Sequence, residues 1–336
     1  MYRLIRTFAA LALLGGLGLP AGCSSGGGVE EASVVRGPSS GATDSPFWTD
    51  PDSPAAWQVR QWREQGRDDD AKVLQRVAQR PVAIWPAGQD PARMMGAATE
   101  GARGQGKAAL FVAYDIPHRD CGQHSAGGAQ DGDAYRGWID RFARAIGDTR
   151  AWVVLEPDAV AHIVDGCTPR EYHDERYALL SGAIDRLKQQ PHTRVYLDAG
   201  NPAWIRDPWQ LREPLARAGL AHADGFSLNV SNFQTNADTI RYGRKLSQFV
   251  GDKHFVIDTS RNGNGPLPGR DGGAAWCNPP GRALGTPPTT RTGDPLVDAF
   301  LWIKRPGESD GTCRGGPAAG KWWPEYALGL ARAAKE

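Results

Sequence analysis

Acidic or polar residues follow several short apolar runs of the sequence, at the point where each run ends. Val153–Leu155 is followed by Glu-Pro-Asp, Val195–Leu197 by Asp-Ala-Gly and Phe255–Ile257 by Asp-Thr-Ser. Amphipathic segments separate the runs, and this alternation indicates parallel strands joined by helices. Because the carboxyl ends of parallel strands open on one face, we expect these acids to meet there. The alternative for any single acid is that it caps the next helix or turn.

Seven apolar runs predict the strands of the sheet. They are Val82–Trp85, Leu110–Tyr114, Val153–Leu155, Val195–Leu197, Gly225–Val230, Phe255–Ile257 and Phe300–Ile303. We therefore predict an α/β fold of one domain, a distorted, seven-stranded parallel β/α barrel that is a variant of the TIM barrel. Helices are predicted at Tyr135–Ile146 and Tyr177–Leu187, because their apolar residues recur at helical spacing.

The N-terminus has the pattern of a bacterial lipoprotein signal. In residues 1–22, Arg3 and Arg6 precede an apolar run of 12 residues, which is too short to span a bilayer as a helix. Small residues then precede Cys23, for which lipidation is predicted. Pro20 stands where such signals prefer Leu, so plain secretion is the alternative. We expect an exported protein, anchored to the cell envelope through that lipid or otherwise secreted.

The rest of the chain divides into a tether and one domain. Residues 23–45 are rich in Ser and Gly and predict a flexible tether. Residues 46–336 are long enough for a single barrel domain, and we predict the catalytic domain there.

Four cysteines remain if Cys23 carries lipid. They are Cys121, Cys167, Cys277 and Cys313. An even number in an exported protein indicates disulfides, and three pairings are possible. A metal site is the other explanation, but the sequence has no Cys-x-x-Cys pair, so we expect neither a metal nor a cofactor.

The charge balance and the tryptophans narrow the class of ligand. The 39 Lys and Arg nearly cancel the 38 Asp and Glu, which argues against nucleic-acid binding. Converging carboxyl groups suit the cleavage of a glycosidic bond, which needs a protonated acid and a second carboxylate. Indole faces suit sugar rings, and Trp85, Trp204 and Trp276 are candidates for this contact. Trp302 lies within a predicted strand and is expected in the core.

Five segments carry a resemblance to a known family from about Ser45 to the C-terminus. They are Tyr114-Asp-Ile-Pro-His-Arg-Asp-Cys-Gly-Gln-His-Ser-Ala-Gly-Gly128, Val153-Val-Leu-Glu-Pro-Asp158, Tyr196-Leu-Asp-Ala-Gly200, Val256-Ile-Asp-Thr-Ser-Arg-Asn-Gly-Asn-Gly-Pro266 and Leu301-Trp-Ile-Lys-Arg-Pro-Gly-Glu-Ser-Asp-Gly311. The sequence resembles glycoside hydrolase family 6, cellulases that invert the configuration at the anomeric carbon.

The resemblance implies roles for the strand-end residues. Asp158 would be the proton donor, and Asp120 would raise the pKa of that donor. Ser125 would position the water chain, and Asp310 is the candidate base, acting directly or indirectly. Tyr114 would press on the sugar at the point of cleavage. The resemblance also assigns electrostatic support of the site to Asp198.

The resemblance further implies a set of glucan contacts and a disulfide pairing. The contacts are Trp85, Trp204, Asn232, Trp276, Lys304 and Glu308. Asn201 stands where the family usually has His, so one sugar contact differs. The implied disulfides are Cys121–Cys167 and Cys277–Cys313, each beside a catalytic loop.

We therefore expect an endoglucanase that hydrolyses internal β-1,4-glucosidic bonds with inversion, because no large insertion roofs the predicted cleft. The partner is a β-glucan or a cello-oligosaccharide. A membrane would be contacted only through the lipid, and we expect a monomer. The alternatives are a non-catalytic glucan-binding surface lipoprotein, a chain-end cellobiohydrolase and a retaining hydrolase.

Overall fold

A computed structural model describes residues 45–268 and 275–335. The described residues belong to one compact unit, which forms a single domain. The predicted signal at 1–22, the lipidation of Cys23 and the tether apart from Ser45 lie outside the described residues. Among the helices described, none combines the length and the apolar composition that a membrane span requires.

The centre of the fold is a curled sheet of six parallel strands in which chain order equals spatial order. The strands are β1 Ala109–Ala113, β2 Ala151–Leu155, β3 Thr193–Asp198, β4 Gly225–Leu228, β5 His254–Asp258 and β6 Val297–Leu301. Each strand pairs in parallel with the next, as in the register of Val153 with Val195. Consecutive parallel strands place all their carboxyl ends at one edge of the sheet.

The prediction of seven strands is wrong, and the sheet is not a closed seven-stranded barrel. The first apolar run, 82–85, makes only one bridge to β1, in which Ile84 N donates to Leu110 O at 2.9 Å. On its other side, Ala83 N donates to Trp302 O at 2.9 Å. The run stands between Pro81 and Pro86, which have no N–H group, so no longer ladder extends from it.

Helices cover the sheet and precede or follow its strands. They are α1 Pro54–Glu64, α2 Asp68–Ala78, α3 Ala92–Gly104, α4 Gly132–Ile146, α5 Ala161–Val164, α6 His173–Lys188, α7 Arg212–Arg217, α8 Asn236–Phe249 and α9 Pro324–Ala333. Both helices predicted from periodicity are confirmed as α4 and α6. The side chain of Asp131 caps α4 by accepting the N–H of Ala134 at 2.8 Å.

Both faces of the sheet are buried, which explains why the strands are apolar throughout rather than alternating. Phe111 and Val153 belong to the apolar cluster that α4 and α6 cover, whereas their neighbours Val112 and Val154 belong to a second cluster on the opposite face. Trp302 is 1% exposed, as expected for a core residue. With both faces packed, the carboxyl edge is where polar groups of the strands gather.

Candidate active site

Three strand ends meet around one carboxylate. Asp198, the last residue of β3, accepts the backbone N–H of Asp158 at 3.0 Å, and Asp158 lies three residues after β2. Ser227 in β4 donates its hydroxyl to the other oxygen of Asp198 at 2.8 Å, and Gly200 N donates at 3.1 Å. Asp198 is therefore buried and fixed by donors from both sides.

Asp158 is surrounded by negative charge. Burial, and then the charges of Asp198, Asp120 and Asp165, raise the pKa of Asp158 well above its ordinary value. The pKa of Asp198 is itself raised to about 6, chiefly by burial. Two neighbouring carboxyl groups that resist ionisation hold a proton close to neutral pH, as a general acid requires.

The loop 114–129 brings Asp120 to Asp158. Arg119 donates to the carbonyl oxygens of Tyr114 and Ser125, and thereby closes the loop on itself. Ser125 N donates to Asp120 Oδ2 at 2.5 Å. Asp120 has a φ of 54°, a left-handed conformation that costs energy outside glycine and that the loop's own hydrogen bonds maintain.

Tyr114 and Trp85 form one aromatic wall of the site. Their rings are perpendicular with centroids 5.6 Å apart, and Trp85 Nε1 donates to Ile303 O at 2.8 Å. Burial, followed by the charges of Asp158 and Asp120, raises the pKa of Tyr114. The phenol therefore stays protonated and lies within the field of both acids.

Asp310 is a buried carboxylate whose pKa is shifted in the direction opposite to that of Asp158. Arg261 Nη1 donates to both of its oxygens, at 3.0 and 2.8 Å, and Lys304 Nζ lies 3.4 Å away. Asn278 N donates to Oδ2 at 3.0 Å. Although burial opposes it, the charges of Arg261 and Lys304 hold the pKa of Asp310 below its ordinary value, so this group is ionised.

The loop of Asp120 touches the loop of Asp310. A side chain added at Gly311 would come within 2.6 Å of the His124 ring, so only glycine permits this approach. The same His124 ring lies 5.9 Å from that of Trp276. The structure has the two disulfides that the resemblance implies, Cys121–Cys167 and Cys277–Cys313, and both lie beside these loops.

Two of the predicted sugar contacts, Trp204 and Asn201, belong to one turn. Trp204 is half-buried, and its Nε1 donates to Asp165 Oδ2 at 2.8 Å. Asn201 is buried, and its Oδ1 accepts the N–H groups of Ala203 and Trp204 at 3.1 and 3.2 Å. The Asn201 oxygen therefore shapes the turn that presents Trp204, and is not free for a sugar.

The other polar candidates for glucan contacts are largely paired within the protein. Lys304 and Glu308 are 9% and 6% exposed, and Glu308 forms an ion pair with Arg305, whose Nε lies 2.9 Å from Oε1. Asn232 is half-buried and uses its Oδ1 for Phe233 N and for Gln234 Nε2. What these residues offer a ligand is limited to the atoms that remain outside these bonds.

Sequence reasoning missed the arginines that organise the acids. Arg261 is fully buried against Asp310, and Arg176 is 3% exposed beneath the loop 114–129. Arg261 follows an acidic strand end within Asp-Thr-Ser-Arg, and this position was the one signal for it. Arg176 lies in an amphipathic helix among other charged residues, so nothing in the sequence distinguishes it.

Gly128→Ala is expected to lower kcat at least tenfold relative to Gly122→Ala. Gly128 has a φ of 96°, and a Cβ there would lie 2.0 Å from Ile116 O, so the loop that carries Asp120 must shift. Gly122→Ala is the matched control, because Gly122 has a φ of 80° in the same loop but no atom within 4 Å. Equal kcat values for the two variants, with equal melting temperatures, would contradict the assignment of a special role to Gly128.

Comparison with known proteins identifies relatives of this arrangement. The sequence model for glycosyl hydrolases family 6 matches residues 42–334. Endoglucanase A of Cellulomonas fimi is 41% identical over 295 residues, which are 87% of this chain and 62% of that protein. This chain thus spans less than two thirds of the length of that relative. Endoglucanase 1 of Streptomyces halstedii is 42% identical over 292 residues, 84% of this chain and 87% of the relative.

A solved structure resembles the fold closely. The endoglucanase Cel6 of Mycobacterium tuberculosis, in complex with methyl-cellobiosyl-4-deoxy-4-thio-β-D-cellobioside, superposes with a TM-score of 0.79 at 42% identity. The superposition covers 87% of this chain and 98% of that one.

Proposed function

This chain belongs to glycosyl hydrolases family 6, and on that premise we propose that it hydrolyses internal β-1,4-glucosidic bonds of cellulose or a related β-glucan, with inversion at the anomeric carbon. Relatives that carry the name endoglucanase, at 41% and 42% identity, support cellulase activity and internal cleavage. The bound thio-oligosaccharide in the Mycobacterium structure supports a cello-oligosaccharide as ligand.

The observation that carries the proposal is the cluster of acids around Asp158. Cleavage requires an acid that protonates the departing glycosidic oxygen, and a carboxylic acid with an ordinary pKa would have lost its proton near neutrality. Burial and the charges of Asp198 and Asp120 raise the pKa of Asp158. Asp158 is therefore the general acid, Asp120 sustains its proton, and the adjacent Ser125 helps to order the water.

The remaining acids suit inversion better than retention. A retaining enzyme needs a carboxylate that attacks the anomeric carbon. Asp198 is 1% exposed, and both of its oxygens already accept hydrogen bonds, so it supports the site electrostatically and is no nucleophile. Asp310 is ionised, but its lowered pKa makes it a weak base. We assign Asp310 an indirect part in activating water.

The aromatic groups supply the surfaces for the sugar rings. Tyr114 lies in the fields of Asp158 and Asp120, where it would contact the ring at the point of cleavage. Trp85 stands against Tyr114, and Trp204 and Trp276 present half-buried faces on other loops. Asn232, Lys304, Glu308 and Asn201 complete the proposed contacts through the atoms that their internal bonds leave free.

The two disulfides support export as part of the proposal, because such bonds persist in oxidising compartments. Anchoring through a lipid at Cys23 remains a prediction, and its test is the substitution Cys23→Ser. If the anchor exists, this variant moves from the membrane fraction to the soluble fraction.

Carboxymethyl cellulose tests the proposed function. Internal cleavage is expected to reduce viscosity rapidly while few reducing ends appear, and NMR of the first product is expected to show the α-anomer. Slow loss of viscosity with steady release of cellobiose would indicate a chain-end cellobiohydrolase, and a first-formed β-anomer would indicate retention. Saturable glucan binding with no release of sugar would establish a binding protein instead.

Asp120→Asn is expected to move the alkaline limb of the pH profile of kcat/KM to lower pH. The sign follows from the charge: Asp120 raises the pKa of Asp158, so its neutralisation lets Asp158 lose its proton at a lower pH. Initial rates on cellotetraose between pH 4 and 9 measure the shift. Asp133→Asn, at an exposed acid of α4, serves as control, and a limb unmoved in Asp120→Asn would contradict the coupling.

A further inference from the structure

Arg176 is a buried cation that the reaction described above does not use. It lies near the start of α6 and is 3% exposed. Within residues 45–268 and 275–335, it forms no ion pair at hydrogen-bonding distance, and its four acceptors are neutral oxygens. A guanidinium without a direct counterion is costly to bury, and its burial lowers the pKa of Arg176 although the charge of Glu156 opposes this.

The four hydrogen bonds of Arg176 divide between two segments. Nη2 donates to Pro117 O at 3.0 Å and to His118 O at 2.9 Å, both in the loop that carries Asp120. Nη1 donates to Thr168 Oγ1 at 2.8 Å and to Ala159 O at 3.4 Å, both in the segment that follows Asp158. One planar group thus joins the loop of the supporting acid to the segment of the proton donor.

Two further contacts tie the same segments together. The disulfide joins Cys121, next to Asp120, to Cys167, next to Thr168. The ring of His118 stacks on that of Tyr172 at 4.1 Å, directly before α6. The left-handed φ values of His118, Asp120 and Cys121 are costly outside glycine, so the stretch depends on such restraints to keep its shape.

We propose that Arg176 is a positioning residue that fixes the separation of Asp120 from Asp158. The inference rests on the proposed function, in which Asp158 donates the proton. Without Arg176, two carbonyls of the Asp120 loop lose their donors, so only the disulfide and the stacked rings still hold the loop and Asp120 shifts away from Asp158. The guanidinium is suited to this because its rigid, planar donors hold both segments at once.

The electrostatic surroundings make the effect measurable. The charged or titratable groups that face Asp158 are Asp198 from β3, Asp120 and Tyr114 from the loop 114–129, and Asp165 after α5. Of these, Asp120 and Tyr114 lie on the loop that Arg176 holds. Withdrawal of Asp120 lowers the pKa of Asp158, so the alkaline limb of kcat/KM moves to lower pH.

Arg176→Met and Arg176→Lys test the proposal, with Arg186→Met as control because Arg186, on the same helix, pairs with Asp140 of α4. In Arg176→Met we expect kcat on cellotetraose to fall about 10²-fold, as for a misplacement near 1 Å, with KM changed less than threefold. The alkaline limb moves to lower pH. Arg176→Lys keeps the charge, so its fall in kcat and its shift of the alkaline limb should both be smaller than those of Arg176→Met. Arg186→Met leaves the pH profile unchanged.

A titration of the Asp158 carboxyl by ¹³C NMR separates this inference from the proposed function. If the wild type hydrolyses no glucan, the proposed function fails, while a lower Asp158 pKa in Arg176→Met still supports the positioning role. An unchanged Asp158 pKa and an unchanged pH profile, together with a lower melting temperature, would reduce Arg176 to a stabilising residue and overturn the inference. If Arg176→Met does not fold, Arg176→Lys decides by the same readouts.

Discussion

Asp158→Asn is expected to lower kcat on cellotetraose about 10³-fold and to leave the dissociation constant of the oligosaccharide within threefold. The amide is close in size to the carboxyl group but has no acidic proton for the departing oxygen, and general acids contribute about 10²–10⁴-fold to rate. The backbone N–H of Asp158, which donates to Asp198, is retained in the variant, so the local structure should persist. Initial rates and calorimetric titration measure the two quantities.

The leaving group provides a sharper test of the role of Asp158. The dinitrophenolate group of a dinitrophenyl glycoside leaves as a stable anion and needs no proton. Asp158→Asn should therefore lose far less activity on this substrate than on cellotetraose. Asp174→Asn is the control, because Asp174 is an exposed acid that pairs with Arg217. An equal loss on both substrates would show that Asp158 acts in some way other than proton donation.

The alternation of apolar runs with amphipathic helices predicted the class of fold and most of its elements. Five of the seven predicted runs overlap strands β1–β5 and a sixth overlaps β6, because a parallel sheet buried on both faces demands continuous apolar runs. The remaining run, 82–85, is equally apolar but forms no strand of the sheet. It failed because the prolines beside it restrict backbone pairing, which an apolar count does not register.

The acids of the site were predictable, but their individual environments were not. A position at a strand end identified Asp158 and Asp198, and the structure brings both together with Asp120. In the sequence, Asp310 is one more acid after a predicted strand. In the structure, two cations lower its pKa, whereas the pKa values of Asp158 and Asp198 are raised. Which acid meets a carboxylate and which meets an arginine depends on contacts between segments 38 to 49 residues apart, and these leave no local pattern.

Arg261→Met is expected to destabilise the fold by about 3–5 kcal/mol, because it leaves a buried carboxylate without its main counterion. Arg261 is fully buried, donates twice to Asp310 and once to Ser231 O, and lies over the ring of Phe233 at 4.4 Å. Denaturant unfolding at pH 7 measures the loss. Arg60→Met, which removes an exposed pair with Asp52, should produce no measurable change.

The double variant Arg261→Met/Asp310→Asn should recover much of the lost stability, since it removes the orphaned charge as well as its partner. A lower pH should likewise reduce the stability that Arg261→Met loses relative to the wild type. In the wild type, the pKa of Asp310 is depressed, so its stabilising contribution exists above the unfolded-state pKa and is lost as pH falls through the folded-state value. In Arg261→Met, burial with only Lys304 nearby raises that pKa relative to the wild type, so Asp310 of the variant takes up a proton between pH 7 and 4, where Asp310 of the wild type stays ionised. The difference in stability should therefore narrow as pH falls from 7 towards 4, and a constant difference would mean that Arg261 stabilises the fold by packing rather than by its charge.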